Sequence, residues 1–402
     1  MGDCLWRVTN SDATITIMHL SRMTASAAAL ALPIALAAVS PAAAAPDDER
    51  APRLRVSTVK SGLDIPWDIA FLPDGGMLYT QRVRQTIRYR GPGGNDRNVR
   101  FNRSGMWAAG ETGLMSIVAS PNFSRKRQFF TCHGSNNPNR AGGHDVRVVK
   151  WRLRDNARSA AKRRTIVKGL PASSGRHGGC RIRFGKEGAL YIGTGDAAIG
   201  KTPQNLRSGG GKVLRVRSAN GRPWPGNPFK NAGKAMKRRV YTYGHRNVQG
   251  LAQRPNKQMW SVEHGPDRND EVNKLRSGGN YGWDPRPGYN ENVPMTDFSL
   301  PGKQVGARWK SGSSTIATSG AVWLRGKKWR AWQGSLAVAA LKDTSLRVMK
   351  FRPKGKFVRM WTPPALNGSF RLRSPVLGPD RNLYVTTANG GGNDRIFKVV
   401  PR

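Results

Sequence analysis

Short apolar runs that alternate with polar residues recur along the chain, each closed by a turn cluster and answered by a second run rich in aromatic and small residues. In the clearest copy, Trp67-Asp68-Ile69-Ala70-Phe71-Leu72 turns through Pro73-Asp74-Gly75-Gly76 and returns as Met77-Leu78-Tyr79. The phrase comes back at Arg181 to Ile192, at Gly250 to Trp260 and at Ser374 to Val385, with weaker copies at Leu114 to Phe130 and Gly320 to Val338. Alternation sets two pleated faces, and Pro, Asp, Asn and Gly set the reversal, so each copy predicts an antiparallel hairpin. Hairpins repeated at irregular intervals of several tens of residues point to radial repetition. The expectation is an all-β, six-bladed β-propeller of four-stranded antiparallel blades, with its site at one end of the central channel. A large β-sandwich is the competing architecture, because hairpin signals alone do not specify closure. The insertions at 231–239 and 289–312 read as loops, and no long amphipathic helical stretch is visible.

Composition supports this reading: 47 Gly, 26 Pro and 12 Trp among 402 residues suit many short strands and turns. The first 45 residues differ from the rest. Arg22 and Met23 precede an apolar run from Ala25 to Val39, followed by Pro41 and four alanines. The run is short for a membrane span and ends in small residues, which predicts a secretory signal cleaved near Ala43 to Ala45. Met23 is an alternative start, and a buried Ala-rich helix is the competing reading. The expected organisation is therefore a signal over 1–45, a flexible segment over 46–54 and the propeller over 55–402. No second apolar stretch is long enough to cross a membrane, and the expected location is the periplasm or the exterior.

The formal net charge is +44. Asp3, Arg7, Asp12 and Arg22 cancel, so the charge belongs to the remainder of the chain. Such a charge favours adhesion to polyanions. The basic residues are nevertheless scattered, with no basic helix, RNA-binding strand or Cys/His finger to focus them, so nucleic-acid binding is expected to be at most non-specific. With Cys4 in the signal, Cys132 and Cys180 remain for an oxidising compartment. One disulfide and two free thiols are both open readings. The Gly-rich run Ser208-Gly209-Gly210-Gly211 lacks the strand, spacing and helix of a dinucleotide fingerprint.

The chemistry-bearing residues follow the repeats. They include Gly110-Glu111-Thr112-Gly113, Arg176-His177-Gly178-Gly179-Cys180-Arg181, Gly193-Thr194-Gly195-Asp196 and Tyr243-Gly244-His245-Arg246-Asn247-Val248-Gln249-Gly250-Leu251. Further on come Glu263-His264-Gly265-Pro266, then Asp270-Glu271-Val272-Asn273 through Asn280-Tyr281-Gly282-Trp283, Ala340-Leu341-Lys342 and Arg371-Leu372-Arg373. In this order, over about residues 55 to 400, the elements resemble the soluble pyrroloquinoline quinone (PQQ)-dependent glucose and sorbosone (aldose sugar) dehydrogenases.

That resemblance implies oxidation of an aldose to its lactone, with PQQ and Ca²⁺ as cofactors and an external electron acceptor; a homodimer is also compatible with it. His177 matches the general base and Asp196 its carboxylate partner, a pairing that suits an imidazole working near neutral pH. Arg246, Asn247, Thr315, Lys342, Arg371 and Arg373 match residues that contact the cofactor, whose three carboxylates call for cations with directional donors, and Arg246, also among the implied catalytic residues with Glu111, bridges cofactor and substrate together with Asn247. Gly265 and Pro266 match backbone carbonyl ligands of the catalytic Ca²⁺, while Glu271 and Tyr281 match a second Ca²⁺ site. Two positions depart from the glucose enzymes: Glu111, beside substrate and cofactor, and His264, beside the cofactor, both replace glutamines. Two other readings stand beside this one. One is a non-catalytic propeller module binding a polyanion or a sugar. The other is a Ca²⁺-dependent lactonase, which would need several converging carboxylates.

Overall fold

The computed structural model describes residues 50–402, so the expected signal segment and its cleavage site lie outside the described residues. The described chain is an all-β propeller. Its strands group into six sheets. The innermost strands Pro66–Phe71, Leu114–Ala119, Arg181–Phe184, Val248–Gln253, Thr318–Trp323 and Leu372–Leu377 abut one another in that order, and the last meets the first.

Each repeated phrase is the innermost hairpin of one sheet. The same turn bond recurs in them: Leu72 N–H donates to Gly76 O, Gly185 to Ala189, Arg254 to Gln258 and Gly378 to Asn382. In the two weaker copies the turn is longer, and Ser120 donates to Gln128 and Leu324 to Ser335. Loop length, not strand character, therefore made those copies faint.

The expectation of uniform four-stranded blades needs correction. Four sheets have four strands, but Met106–Trp107 adds to the sheet built on Leu114–Ala119. The sheet built on Arg181–Phe184 is extended in parallel by Gly279–Asn280 and Lys303–Gln304. These short pieces belong to connecting segments that satisfy their own backbone groups on an available edge. Closure is non-local: Leu54–Leu63 pairs antiparallel with Asp394–Pro401, so both ends of the described chain share one sheet.

Between sheets the core is aromatic. Trp260 meets Trp323 edge-on at 5.4 Å and Phe351 at 4.8 Å, joining two neighbouring sheets. Such pairs contribute about 0.5–1.5 kcal/mol beyond the area they bury. The helices of the described residues are short, Phe123–Lys126 and Ala235–Arg239, apart from 3₁₀ turns, and none is long and apolar enough to cross a membrane.

Cys132 and Cys180 are disulfide-bonded, with Cα atoms 6.1 Å apart. The bond ties the strand Gln128–Asn136 to the loop that carries His177 and closes a loop of 48 residues. Chain-entropy arguments put such a crosslink at about 4 kcal/mol as an upper figure. Replacing both cysteines by serine is expected to lower the melting temperature by several degrees in calorimetry, and an unchanged melting temperature would deny the bond this role.

Candidate active site

Antiparallel register gathers the motif loops at one end of the propeller. Arg181, which opens an innermost strand, pairs with Gly193, which closes the next; Val248 likewise faces Glu263, and Thr318 faces Ala340. Residues just before an innermost strand (Glu111, His177, Arg246, Asn247, Thr315, Arg371) therefore meet residues just after a second strand (Asp196, His264, Gly265, Pro266, Lys342). No single loop needs to be long.

Close approach of these loops depends on glycine. A Cβ at Gly195 would lie 1.9 Å from His177 O, and one at Gly179 would lie 2.3 Å from Gly195 N. His177, Ala197 and Ala198 adopt left-handed φ values of +51°, +59° and +54°. Such strain costs about 1 kcal/mol or more per residue and persists where surrounding bonds over-determine it.

Those bonds converge on Asp196, which is fully buried. Its Oδ1 accepts from His177 Nδ1 and from the Ala198 N–H, both at 2.8 Å. Its Oδ2 accepts from Trp283 Nε1 and from the Tyr289 hydroxyl, also both at 2.8 Å. The network places the proton of neutral His177 on Nδ1 and leaves Nε2 as the basic nitrogen.

A second network lies alongside. Glu111 Oε2 accepts from Asn247 Nδ2 at 2.9 Å and Gln249 Nε2 at 3.3 Å, and Arg373 Nη1 donates to Gln249 Oε1 at 3.0 Å. Burial would raise the Glu111 carboxyl, but the His264 and His177 rings and the Asn247 amide hold it below the usual carboxylate range. Burial pushes the His264 ring down, against the pull of Asp270 and Glu111. Arg373 is pushed down to about 9 by burial and by the cations of Arg82 and Arg181, with Glu111 opposing.

Arg246 is nearly fully buried. Its backbone N–H donates to Glu263 Oε2 at 2.9 Å, its Nη2 is ion-paired with Glu291, and its guanidinium lies 5.6 Å from the centre of the Trp283 ring. Buried nitrogens of this region without a partner in the protein include Arg246 Nε, Arg373 Nε and His264 Nε2. Unpaired buried polar groups are costly, so the arrangement suits an anionic, oxygen-rich ligand.

The remaining expected residues divide. Thr315 is half-buried and its N–H donates to Asp267 O at 2.9 Å; Lys342 N–H donates to Ile316 O at 3.1 Å. Lys342 and Arg371 are exposed at the rim, and Arg371 Nε reaches Ala388 O at 3.3 Å. The Gly265 N–H donates to Asp270 Oδ1 at 2.9 Å, and Asp270 Oδ2 accepts from Ile316 N at 2.7 Å, which pins the 264–269 loop to the segment bearing Thr315.

Glu271 faces Glu263 across paired strands, and burial together with that neighbour pushes it up to about 8. The Tyr281 hydroxyl is engaged elsewhere: it donates to Lys274 O at 2.8 Å and accepts from Arg276 N at 3.0 Å. Among the described residues no group of three or more His, Cys, Asp or Glu side chains is arranged to hold a metal ion.

Sequence reasoning missed Tyr289 and Glu291 as organisers of the site. Asp270, Trp283 and Gln249 stood inside the quoted motifs without an assigned role. Tyr289 and Glu291 belong to an insertion with no periodic signal, and only its path over the mouth brings them in.

A family model described as glucose/sorbosone dehydrogenase matches residues 63–398. The aldose sugar dehydrogenase YliI of Escherichia coli (strain K12) is 31% identical over 362 residues, covering 87% of this chain and 93% of its own. The solved soluble aldose sugar dehydrogenase from Escherichia coli, in its apo-form, has a TM-score of 0.77 at 28% identity, covering 87% of this chain and 100% of that one. The PQQ-bound form of aldose sugar dehydrogenase from Streptomyces coelicolor gives 0.72 at 28% identity, covering 88% and 100%. A family match over most of the chain, a relative of similar length and the propeller that gathers these loops agree: this protein belongs to the glucose/sorbosone dehydrogenase family, whose members are sugar oxidoreductases.

Proposed function

We propose that the protein is an exported, PQQ-dependent aldose dehydrogenase that converts the anomeric alcohol of a sugar to the lactone with His177 as general base. The observation that carries this reading is the buried His177–Asp196 pair at 2.8 Å, with Nδ1 fully engaged and Nε2 left as the base. His177 takes the proton of the anomeric hydroxyl, and Asp196 holds the ring and stabilises the imidazolium. Asn247, held by Glu111 and Gln249, and Arg246 position the sugar.

The unpartnered Nε donors of Arg246 and Arg373, with the free His264 Nε2 beside them, fit the carboxylates and carbonyls of PQQ, with Lys342, Arg371 and Thr315 at the rim. Ca²⁺ would be held by the main-chain carbonyls of Gly265 and Pro266. That loop is fixed by Asp270, and a Cβ at Gly265 would lie 1.8 Å from Arg268 O. When bound, PQQ supplies the two-electron acceptor and Ca²⁺ the Lewis acid that polarises it. The PQQ-bound Streptomyces relative supports this choice of cofactor. We read the six sheets as six blades, and the disulfide favours export to an oxidising compartment.

Titrating the purified protein with PQQ and Ca²⁺ tests the proposal, with aldose-dependent reduction of an artificial dye as the readout. Dye reduction that requires both additions and is lost on chelation is expected. Absence of PQQ binding would overturn the cofactor assignment, and PQQ binding without turnover on any aldose would overturn the substrate class.

A further inference from the structure

The segment 284–292 leaves Trp283 and crosses the mouth of the site. It makes contacts that the assigned residues alone do not require. The Tyr289 hydroxyl lies 2.8 Å from Asp196 Oδ2 and 2.9 Å from His177 Nδ1, so it closes a triangle with the proposed base and its partner. Two residues on, the Glu291 carboxylate bridges Arg176, at 2.6 Å, and Arg246. The Arg176 guanidinium in turn lies 5.4 Å from the centre of the Tyr289 ring. Arg268 Nη2 donates to Asn292 O at 3.0 Å and anchors the end of the segment.

We propose that this segment is a strap that completes the catalytic base, with Tyr289 the positioning residue that tunes His177 through Asp196 and Glu291 the latch that holds the strap on Arg176 and Arg246. The inference rests on the reading of His177 as base.

Its physical content is a competition for one carboxylate. Asp196 stabilises an imidazolium only with charge that other donors have not already drawn off. Trp283 Nε1–H and the Tyr289 O–H both draw on Oδ2, and the Ala198 N–H draws on Oδ1. Burial and the Asp196 carboxylate push the Tyr289 phenol far above its ordinary value, so it remains a donor throughout the working range. Tyr289 therefore draws on the same carboxylate that would stabilise a His177 imidazolium. The other charged and titratable groups around the His177–Asp196 pair are Glu111, Arg176, Arg246, Glu291 and, below Asp196, Lys212, and Tyr289→Phe removes none of them.

The test uses the full chain without cofactor. The titration of His177 is followed by long-range proton–nitrogen NMR and assigned by the signal lost in His177→Gln. Tyr289→Phe is expected to raise the His177 pKa by about half to one unit. In the protein loaded with PQQ and Ca²⁺, the acid limb of kcat/KM against pH should move up by the same amount. In Glu291→Gln the amides of 284–292 are expected to exchange about ten times faster, because the latch rests on charge. A His177 titration that does not move in Tyr289→Phe would overturn the tuning role, and unchanged strap exchange in Glu291→Gln would overturn the latch. If Tyr289→Phe fails to fold, the exchange experiment alone decides the strap. A shifted His177 in a protein that oxidises no sugar would leave the strap standing and reject the proposed function.

Discussion

His177→Gln is expected to lower kcat by about three orders of magnitude while leaving PQQ affinity within a few-fold of the parent, the usual range for a positioned general base being about 10²- to 10⁴-fold. The argument is geometric. His177 bonds to Asp196 and Tyr289, whereas the unpartnered nitrogens that suit PQQ belong to Arg246, Arg373 and His264. Glutamine can still donate to Asp196 but offers no nitrogen lone pair to accept a proton. Stopped-flow dye reduction gives the rate, and quenching of tryptophan emission on PQQ addition gives the affinity. Full activity in the variant would remove His177 from the base role; joint loss of affinity and rate would make it a cofactor contact instead.

The largest stability effect is expected at a lysine. Lys212 is fully buried, and its Nζ donates to Thr202 O at 2.7 Å, Pro203 O at 2.8 Å and Gly210 O at 2.6 Å. It pins the turn below Asp196, where Thr202 Oγ1 donates to Asp196 O at 2.8 Å. Lys212→Met would leave Gly210 O without a partner and remove one of the two bonds to Thr202 O and to Pro203 O, which keep the N–H groups of Asn205 and Gly244. The expected loss is about 3 kcal/mol, after allowance for the buried charge that is also removed, or roughly 5 °C in melting temperature.

The pH dependence has a definite sign. Burial pushes Lys212 down to about 7, with Asp196 opposing. The folded chain then releases its proton before the unfolded chain does, so between about pH 7 and 10 the unfolded state carries more protons and folding stability rises with pH. Denaturant unfolding across that window should show this rise in the parent and a flatter profile in Lys212→Met. Parallel profiles would mean that the amine keeps an ordinary pKa.

The hairpins were legible because their information is local. Turn residues and alternation in Trp67 to Tyr79 or Ser374 to Val385 specify a reversal wherever they occur, and each copy became an innermost hairpin. The loops carrying His177, Asp196, Arg246 and Asn247 were legible for a related reason: a motif flanking a hairpin ends up at the end of the propeller where that hairpin opens.

What the sequence by itself determined is this set of strand-turn-strand units, their all-β character and the residue types available beside them. Tertiary structure alone decided the rest. Closure through Leu54–Leu63 and Asp394–Pro401 joins segments more than 300 residues apart, and no local pattern encodes that pairing. The union of Cys132 with Cys180 depended on two neighbouring sheets coming into contact. The entry of Tyr289 and Glu291 into the site depended on the path of an aperiodic insertion across the mouth. Short-range chemistry sets elements, whereas the meeting of elements is set by which buried surfaces and unpaired groups satisfy one another once the chain has closed.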